Sequence, residues 1–309
     1  MYDVLILSAV LSFILNFILQ RLFIRYNFID NINERSSHDQ IATRSGGSSV
    51  YIVLFLISII SYLFGFALFD YSVLVPLSIL FLIGLYDDIY NVDFKLKFIF
   101  QVIVAKIIID NGLVIDNFHG FFGFYEINRI LSQLLTIFII VAIINAINFI
   151  DGIDGLAISI SFLFLISFEF FAFINTDFYY LSIIIFGSLI PMYYFNFRKK
   201  NKVFLGDSGS YLLGGLICLY VLKILSQGYL IKPEFDLNKV LFVVSLLIYP
   251  IIDIIRIFFM RIIQGKSPFL ADKNHIHHKI LSKSNSHYLT VLIIITGSIL
   301  FIISVQILF

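Results

Sequence analysis

The chain has 309 residues, of which 60% are hydrophobic and 13% charged, with 36 Phe, a formal net charge of +1 and a mean hydropathy of +0.99. No water-soluble domain buries that much apolar surface, so the composition selects a polytopic membrane protein. There is no basic stripe to mark nucleic acid as a partner, and the single Cys218 excludes a disulfide framework or a cysteine metal cluster within one chain.

In chain order, apolar runs suited to a bilayer fall at about 4–24, 50–69, 72–86, 98–109, 130–148, 156–174, 178–195, 211–226, 240–263 and 288–308. They predict an all-α bundle of about ten transmembrane helices, forming one integral-membrane domain over 1–309. The first run has no basic region before it and no small-residue cleavage site after it, so it reads as a retained helix. Lys106 and Asp110 shorten the fourth. The Gly- and aromatic-rich stretch 113–127, with its His119-Gly120 turn signal, reads as a short hairpin. Pro250 is expected to kink the ninth run.

If the helices alternate, loops 25–47, 87–97, 149–155, 196–209 and 264–286 share one face. Most basic loop residues lie there, against Arg129, Lys232 and Lys239 on the other side, which makes the first face cytoplasmic. Every unusual polar cluster falls on that same face. The first loop carries Arg35, His38 and Arg44-Ser45-Gly46-Gly47. Asp87-Asp88 follow the third run, with Asn91, Lys95 and Gln101 after them. Side chains of consecutive helical residues point about 100° apart, so one carboxylate should face a site and the other support it.

Asn145-Ala146-Ile147-Asn148-Phe149-Ile150-Asp151-Gly152-Ile153-Asp154-Gly155-Leu156 is the richest stretch. Carboxylates at membrane depth cost roughly 2.5–3.5 kcal/mol on insertion scales, so they persist where they pair, bind an ion or line a wet cavity. Val203-Phe204-Leu205-Gly206-Asp207-Ser208-Gly209-Ser210 opens the eighth run, and its glycines and serines make a cradle for an anion or a metal-bound phosphate. A plain N-cap would also account for Asp207. Asp253 and Arg256, at i and i+3, read as a structural pair. His275-Ile276-His277-His278 can ligate zinc, hold phosphate or transfer protons; it matches no standard zinc spacing, and contact with phosphate or pyrophosphate is the preferred reading.

In this order, Asp87-Asp88 before Lys95, NFIDGIDGLA (148–157), VFLGDSGS (203–210) and ADKNHIHHKI (271–280) resemble the polyprenyl-phosphate N-acetylhexosamine-1-phosphate transferase family. The HIHH form looks like the branch that uses UDP-N-acetylglucosamine and undecaprenyl phosphate. Lys273 departs from it, where Arg is more usual. The resemblance implies an enzyme in the inner membrane of a bacterium, with its site on the cytoplasmic face, that starts a cell-envelope polysaccharide. An undecaprenyl phosphate would attack the β-phosphorus of a UDP-N-acetylhexosamine and release UMP, directly or through a covalent aspartyl intermediate.

By the same resemblance Asp207 is the metal ligand, with Mg²⁺ as the cofactor and Mn²⁺ as an alternative. Asp87 deprotonates or orients the lipid phosphate beside Asp88. Lys95, His275, His277 and His278 neutralise phosphate charge. Asn148, Asp151 and Asp154 hold the nucleotide, Phe204 stacks on its base, and Arg35, His38, Arg44 and Asn196 complete the substrate-binding set. A homodimer is compatible with this reading. The competing class is a proton-coupled transporter, which uses intramembrane acids and a Pro-broken helix; carriers, however, place such groups near the bilayer midplane, whereas these acids sit at the ends of the runs.

Overall fold

A computed structural model describes residues 2–30, 42–172, 177–226, 239–265 and 274–308; Arg35, His38 and Lys273 lie outside the described residues. The helices are α1 (Tyr2–Arg25), α2 (Gly46–Leu63), α3 (Leu74–Tyr90), α4 (Phe94–Asp110), α5 (Arg129–Ile150), α6 (Leu156–Phe171), α7 (Tyr179–Phe197), α8 (Gly206–Ser226), α9 (Lys239–Leu246), α10 (Ile248–Ile263), α11 (Ile276–Ser284) and α12 (His287–Leu308). Among the described residues the strands are β1 (Ala42–Thr43) and β2 (Lys202–Val203).

Among the described residues, seven helices are long and apolar enough to cross a membrane: α1, α2, α3 with its leading turn, α5, α7, α8 and α12. The protein is a multi-pass membrane protein. α9 and α10 qualify together but bend by 79° between them. Pro250 supplies the cause. Its ring crowds the carbonyl four residues earlier, at Leu246, where α9 ends. α6 is apolar but short, and α4 carries Lys95, Lys97 and Lys106. The ten expected spans therefore correspond to seven full-length helices, one bent pair and two shorter helices. The hairpin at 113–127 is present, with Phe118 N–H donating to the Tyr125 carbonyl at 2.8 Å and Ile127 N–H to that of Asp116 at 2.8 Å.

α8 is the axis of the bundle. Of its spanning window, 94% is buried, and α2, α3 and α5 pack around it. Such contact requires small residues where helices cross. A Cβ on Gly84 would lie 2.5 Å from the carbonyl oxygen of Asp207, and one on Gly47 only 2.1 Å from the backbone nitrogen of Gly209. β1 and β2 pair in parallel, Ala42 with Lys202 and Thr43 with Val203. The ladder continues as Gly46 N–H and Gly47 N–H donate to the carbonyls of Phe204 (3.0 Å) and Leu205 (2.8 Å). The first loop and the one preceding α8 are thus a single unit.

On α1 the apolar residues face outward, and the buried positions are Ser8, Ser12, Asn16 and Gln20, one every four residues. This polar seam lies against α7, where Ser12 Oγ donates to the Ser188 carbonyl at 2.6 Å. Beyond the helix, Gln20 donates to the Asn201 carbonyl at 2.5 Å and accepts from Arg198. Interhelical hydrogen bonds in a membrane contribute about 0.6 kcal/mol on average, so the seam sets register more than it adds stability.

Gly47→Ala is expected to destabilise the fold by about 1–3 kcal/mol, the usual cost of overpacking, because the methyl group meets backbone that cannot turn aside. The measurement is the thermal midpoint of the purified protein in detergent; an unchanged midpoint refutes the crossing.

Candidate active site

Asp87 and Asp88 close the last turns of α3, and their carboxylates diverge. Asp88 Oδ1 accepts from Asp207 N–H at 2.8 Å and Oδ2 from Ser208 N–H at 3.0 Å. It caps α8 from another helix, satisfying amides that have no intrahelical acceptor. The chain enters α8 through Gly206 at φ +75°, where a Cβ would lie 2.6 Å from the Asp88 carboxylate. Only glycine meets both demands.

Asp87 takes the other direction. Its Oδ1 accepts from Val92 N–H at 2.6 Å as the chain leaves α3, and its Oδ2 lies 2.6 Å from Lys97 Nζ, which also sits 2.9 Å from Asp207 Oδ2. Asn148 Nδ2 donates to Asp207 Oδ1 at 3.1 Å and to Ser210 Oγ at 2.9 Å. The ends of α3, α4, α5 and α8 therefore meet at one cation between two carboxylates. The lysine is Lys97; Lys95 is exposed. The reason is helical phase. Lys97 shares the inward face of α4 with the fully buried Gln101 and Ala105, and Gln101 accepts from Asn145 Nδ2 at 2.8 Å. Spacing of Lys97 and Gln101 at i and i+4 was the available sequence signal.

Asp151 ends α5 beside this cluster. Burial, and then the carboxylates of Asp207, Asp88 and Asp154, push its carboxyl well above the usual range, while Arg44 opposes them. Arg44 pairs with Asp30 at 2.7 Å. Burial alone would lower its guanidinium, but Asp30, Asp88 and Asp207 hold it above its ordinary value. Asp154 differs from Asp151. Burial raises its carboxyl, yet His287 and Lys202 outweigh that and hold it below the usual range. Its Oδ2 is 2.5 Å from Lys202 Nζ and 2.8 Å from His287 Nδ1. Asn196 is likewise engaged within the protein, accepting from Gly155 N–H at 2.6 Å and donating to the Val203 carbonyl at 3.0 Å. Expected as substrate ligands, Asp154 and Asn196 here join the 151–155 turn to β2 and α12. Phe204 is half-buried, with Lys202 Nζ 5.5 Å from its ring centroid.

The histidines start α11. His275 Nδ1 lies 2.6 Å from Asp253 Oδ2, and Asp253 Oδ1 accepts from Ile276 N–H at 2.7 Å. The expected pair with Arg256 is present at a longer 3.8 Å, and the same guanidinium also donates to the Asn274 carbonyl. His277 is fully buried, with Nδ1 2.9 Å from the Tyr249 hydroxyl. A Cβ on Gly152 would lie 3.5 Å from Nε2 of both His277 and His278, so the histidine turn rests against the 151–155 turn. Burial, reinforced by His278, pushes His277 down to about 3. Desolvation thus favours the neutral imidazole at this position. Lys202, His287 and Tyr249 carried no motif signal, because only tertiary contact gives them a role.

The glycosyl transferase family 4 model matches residues 71–225, the segment that holds Asp87, Lys97, Asn148 and Asp207. The probable undecaprenyl-phosphate N-acetylglucosaminyl 1-phosphate transferase of Bacillus subtilis is 31% identical over 302 residues, covering 97% of this chain and 82% of that protein. The chain belongs to glycosyl transferase family 4. The undecaprenyl-phosphate α-N-acetylglucosaminyl 1-phosphate transferase of Thermotoga maritima is 27% identical over 95% of this chain and 86% of its own. A Mycobacterium leprae decaprenyl-phosphate N-acetylglucosaminephosphotransferase matches more locally, at 33% over 37% of this chain and 30% of its own.

The neutral His277 makes stability depend on pH. Unfolded, it takes up a proton near its ordinary value of about 6.5; folded, not until about 3. Its contribution is complete above about 6.5 and is lost as pH falls through that window. Thermal midpoints measured between pH 7.5 and 5 should fall less steeply for His277→Gln than for the parent. Equal slopes would show that His277 accepts a proton in the folded state.

Proposed function

We propose that this enzyme transfers N-acetylglucosamine-1-phosphate from UDP-N-acetylglucosamine to undecaprenyl phosphate, releasing UMP on the cytoplasmic side of a bacterial membrane. The observation that carries the reading is the cluster of Asp87, Lys97, Asp207 and Asn148 at the meeting of four helix ends. The two relatives that match nearly the whole chain are named for N-acetylglucosaminyl 1-phosphate and undecaprenyl phosphate, which supports those substrate classes.

The reaction joins two anions. An oxygen of the lipid phosphate attacks the β-phosphorus of the UDP-sugar, the bond from that phosphorus to the bridging oxygen breaks, and UMP departs with the electron pair. Carboxylates alone would repel both substrates. The donor set is compatible with a magnesium ion: Asp87 and Asp207 both direct an oxygen at the Lys97 ammonium, so they already gather positive charge, and Mg²⁺ prefers one or two carboxylates completed by phosphate and water. Asp207 would hold it, with Asp87 beside it, and when bound it neutralises diphosphate charge. Lys97 contributes a fixed positive charge to the same phosphates. Asp87, near the end of α3, would orient the lipid phosphate or take its proton. Asn148 fixes the Asp207 carboxylate, while Asp151 and Phe204 face the nucleotide end.

The test incubates purified protein with undecaprenyl phosphate, Mg²⁺ and a panel of UDP-sugars, reading UMP release and the mass of the lipid product. UMP release from UDP-N-acetylglucosamine is expected, and flux without chemistry would favour a carrier. Asp207→Asn should retain less than about a hundredth of turnover at saturating Mg²⁺, the scale of losing one preorganised charge-stabilising group. Near-normal turnover would remove Asp207 from the metal site.

Sidedness is tested separately. In a Cys218→Ser background, cysteines at Asn201 and Lys279 should react with an impermeant reagent from the cytoplasm, and one at Phe122 from outside. Labelling of Asn201 and Lys279 from opposite sides would break the single-face arrangement.

A further inference from the structure

The bent helix α10 carries two side chains that the transfer reaction has not so far used. Asp253 is 1% exposed and Tyr249 8% exposed; Asp253 lies closest to His275 of the His275–His278 turn, with His277 Nδ1 farther off at 4.0 Å, and Tyr249 touches His277. Asp253 places one oxygen 2.6 Å from His275 Nδ1 and the other 2.7 Å from Ile276 N–H. A carboxylate can only accept, so the proton between them belongs to Nδ1. That leaves Nε2 as the nitrogen of His275 that is free to meet a substrate, on a ring whose centroid is 5.9 Å from that of Phe149. Tyr249 does the same for His277. Its hydroxyl is 2.9 Å from Nδ1, while His277 Nε2 is buried with no hydrogen-bond partner among the described residues. A Cβ on Gly152 would lie 3.5 Å from that nitrogen.

An unpartnered buried polar atom is costly, at about 1–3 kcal/mol, and it is tolerated where a ligand completes it. We propose that Asp253 and Tyr249 are the positioning residues of the transfer reaction: they fix the tautomers of His275 and His277 so that the Nε2 atom of each is left for the phosphoryl groups, that of His277 beside Gly152. With the Tyr249 hydroxyl donating to Nδ1, His277 carries its proton on Nε2 and acts as a neutral N–H donor to a phosphoryl oxygen. His275, its Nδ1 proton held by Asp253, offers Nε2 for proton exchange with the lipid phosphate. The bend between α9 and α10 has a purpose in this arrangement, because it brings both positioning side chains under α11. The 2.7 Å bond from Ile276 N–H also makes Asp253 the side-chain cap of α11, so one carboxylate sets both the helix start and the ring orientation.

The assignment rests on the transferase reading, and the experiment separates the two. Asp253→Asn and Tyr249→Phe keep shape and remove only the charge or the hydroxyl; size-exclusion profiles and thermal midpoints in detergent report whether each variant is folded. UMP release is measured for each variant alone, and for Asp253→Asn in a His275→Ala background and Tyr249→Phe in a His277→Ala background. Each single variant should lower kcat about 10- to 100-fold, the scale of losing the partner that orients a functional imidazole, with KM for UDP-N-acetylglucosamine nearly unchanged. In the histidine-free backgrounds the second substitution should cost nothing further, because the group it positions is gone. Single variants with parental kcat, or losses that persist undiminished without the histidine, overturn the positioning role while leaving the transferase reading intact. A parent that releases UMP from no UDP-sugar overturns both.

Discussion

At the start of α8 the backbone N–H groups have no acceptor within their own helix, and the helix is buried along nearly its whole length. Water cannot satisfy them there. A carboxylate from α3 does so instead, Asp88 accepting from Asp207 and Ser208. This one contact ties the positive end of the α8 dipole to a fixed negative charge and sets the height of α3 against α8. The Asp87–Lys97–Asp207 cluster depends on that height. A slide of one residue between the helices, about 1.5 Å, would carry Asp87 out of reach of Lys97. The close contact of Gly84 with the Asp207 backbone resists such a slide sterically, as the cap does electrostatically.

The same device recurs at α11. Its first N–H is satisfied by Asp253 from α10, again a carboxylate from a neighbouring helix. In both places two consecutive functions share one short stretch: Asp88 caps while Asp87 faces the cation, and Asp253 caps while it orients His275. A loop at the membrane surface has few backbone contacts to hold it. Helix starts pinned from another helix give the precision that charge stabilisation in a reaction demands. The cost is that these carboxylates cannot be removed without leaving buried amides unpaired.

The helices and the gathering of the polar loops were legible in the sequence, because apolar runs and loop charges follow from the bilayer directly. The division of labour among the acids was less so. Helical phase predicted that Asp87 and Asp88 would diverge, but not which of them would turn toward Lys97. Lys95 and Lys97 are two residues apart and read alike in a motif, and only the burial of Gln101 and Ala105 fixes which one points inward. Asp154 and Asn196 carry the marks of ligands in a motif, yet their partners are Lys202, His287, Gly155 and Val203, scattered over more than a hundred residues of chain. Pairing at that range is decided by tertiary contact, which a motif does not encode. Asp253 was read only in part for the same reason: Arg256 at i+3 is the neighbour that spacing offers, and His275 is the closer one that folding adds.

Polarity within the described bundle is graded with depth. Along α1 the buried polar groups are neutral, Ser8, Ser12 and Asn16, with Gln20 and Arg198 only where the seam reaches the loop that precedes β2. Neutral groups suit the interior, where a charge is expensive and a hydroxyl can bond its own helix or the next. The ionised clusters lie at helix ends, where backbone dipoles, capping amides and opposite charges converge. The proposed lipid acceptor would impose the same gradient, since a polyprenyl phosphate keeps its chain in lipid and its phosphate at the boundary. With Asp87 and Lys97 at the ends of α3 and α4, such an acceptor would bind without drawing its own charge into hydrocarbon, and the cost of desolvation would fall on protein groups already paired with one another.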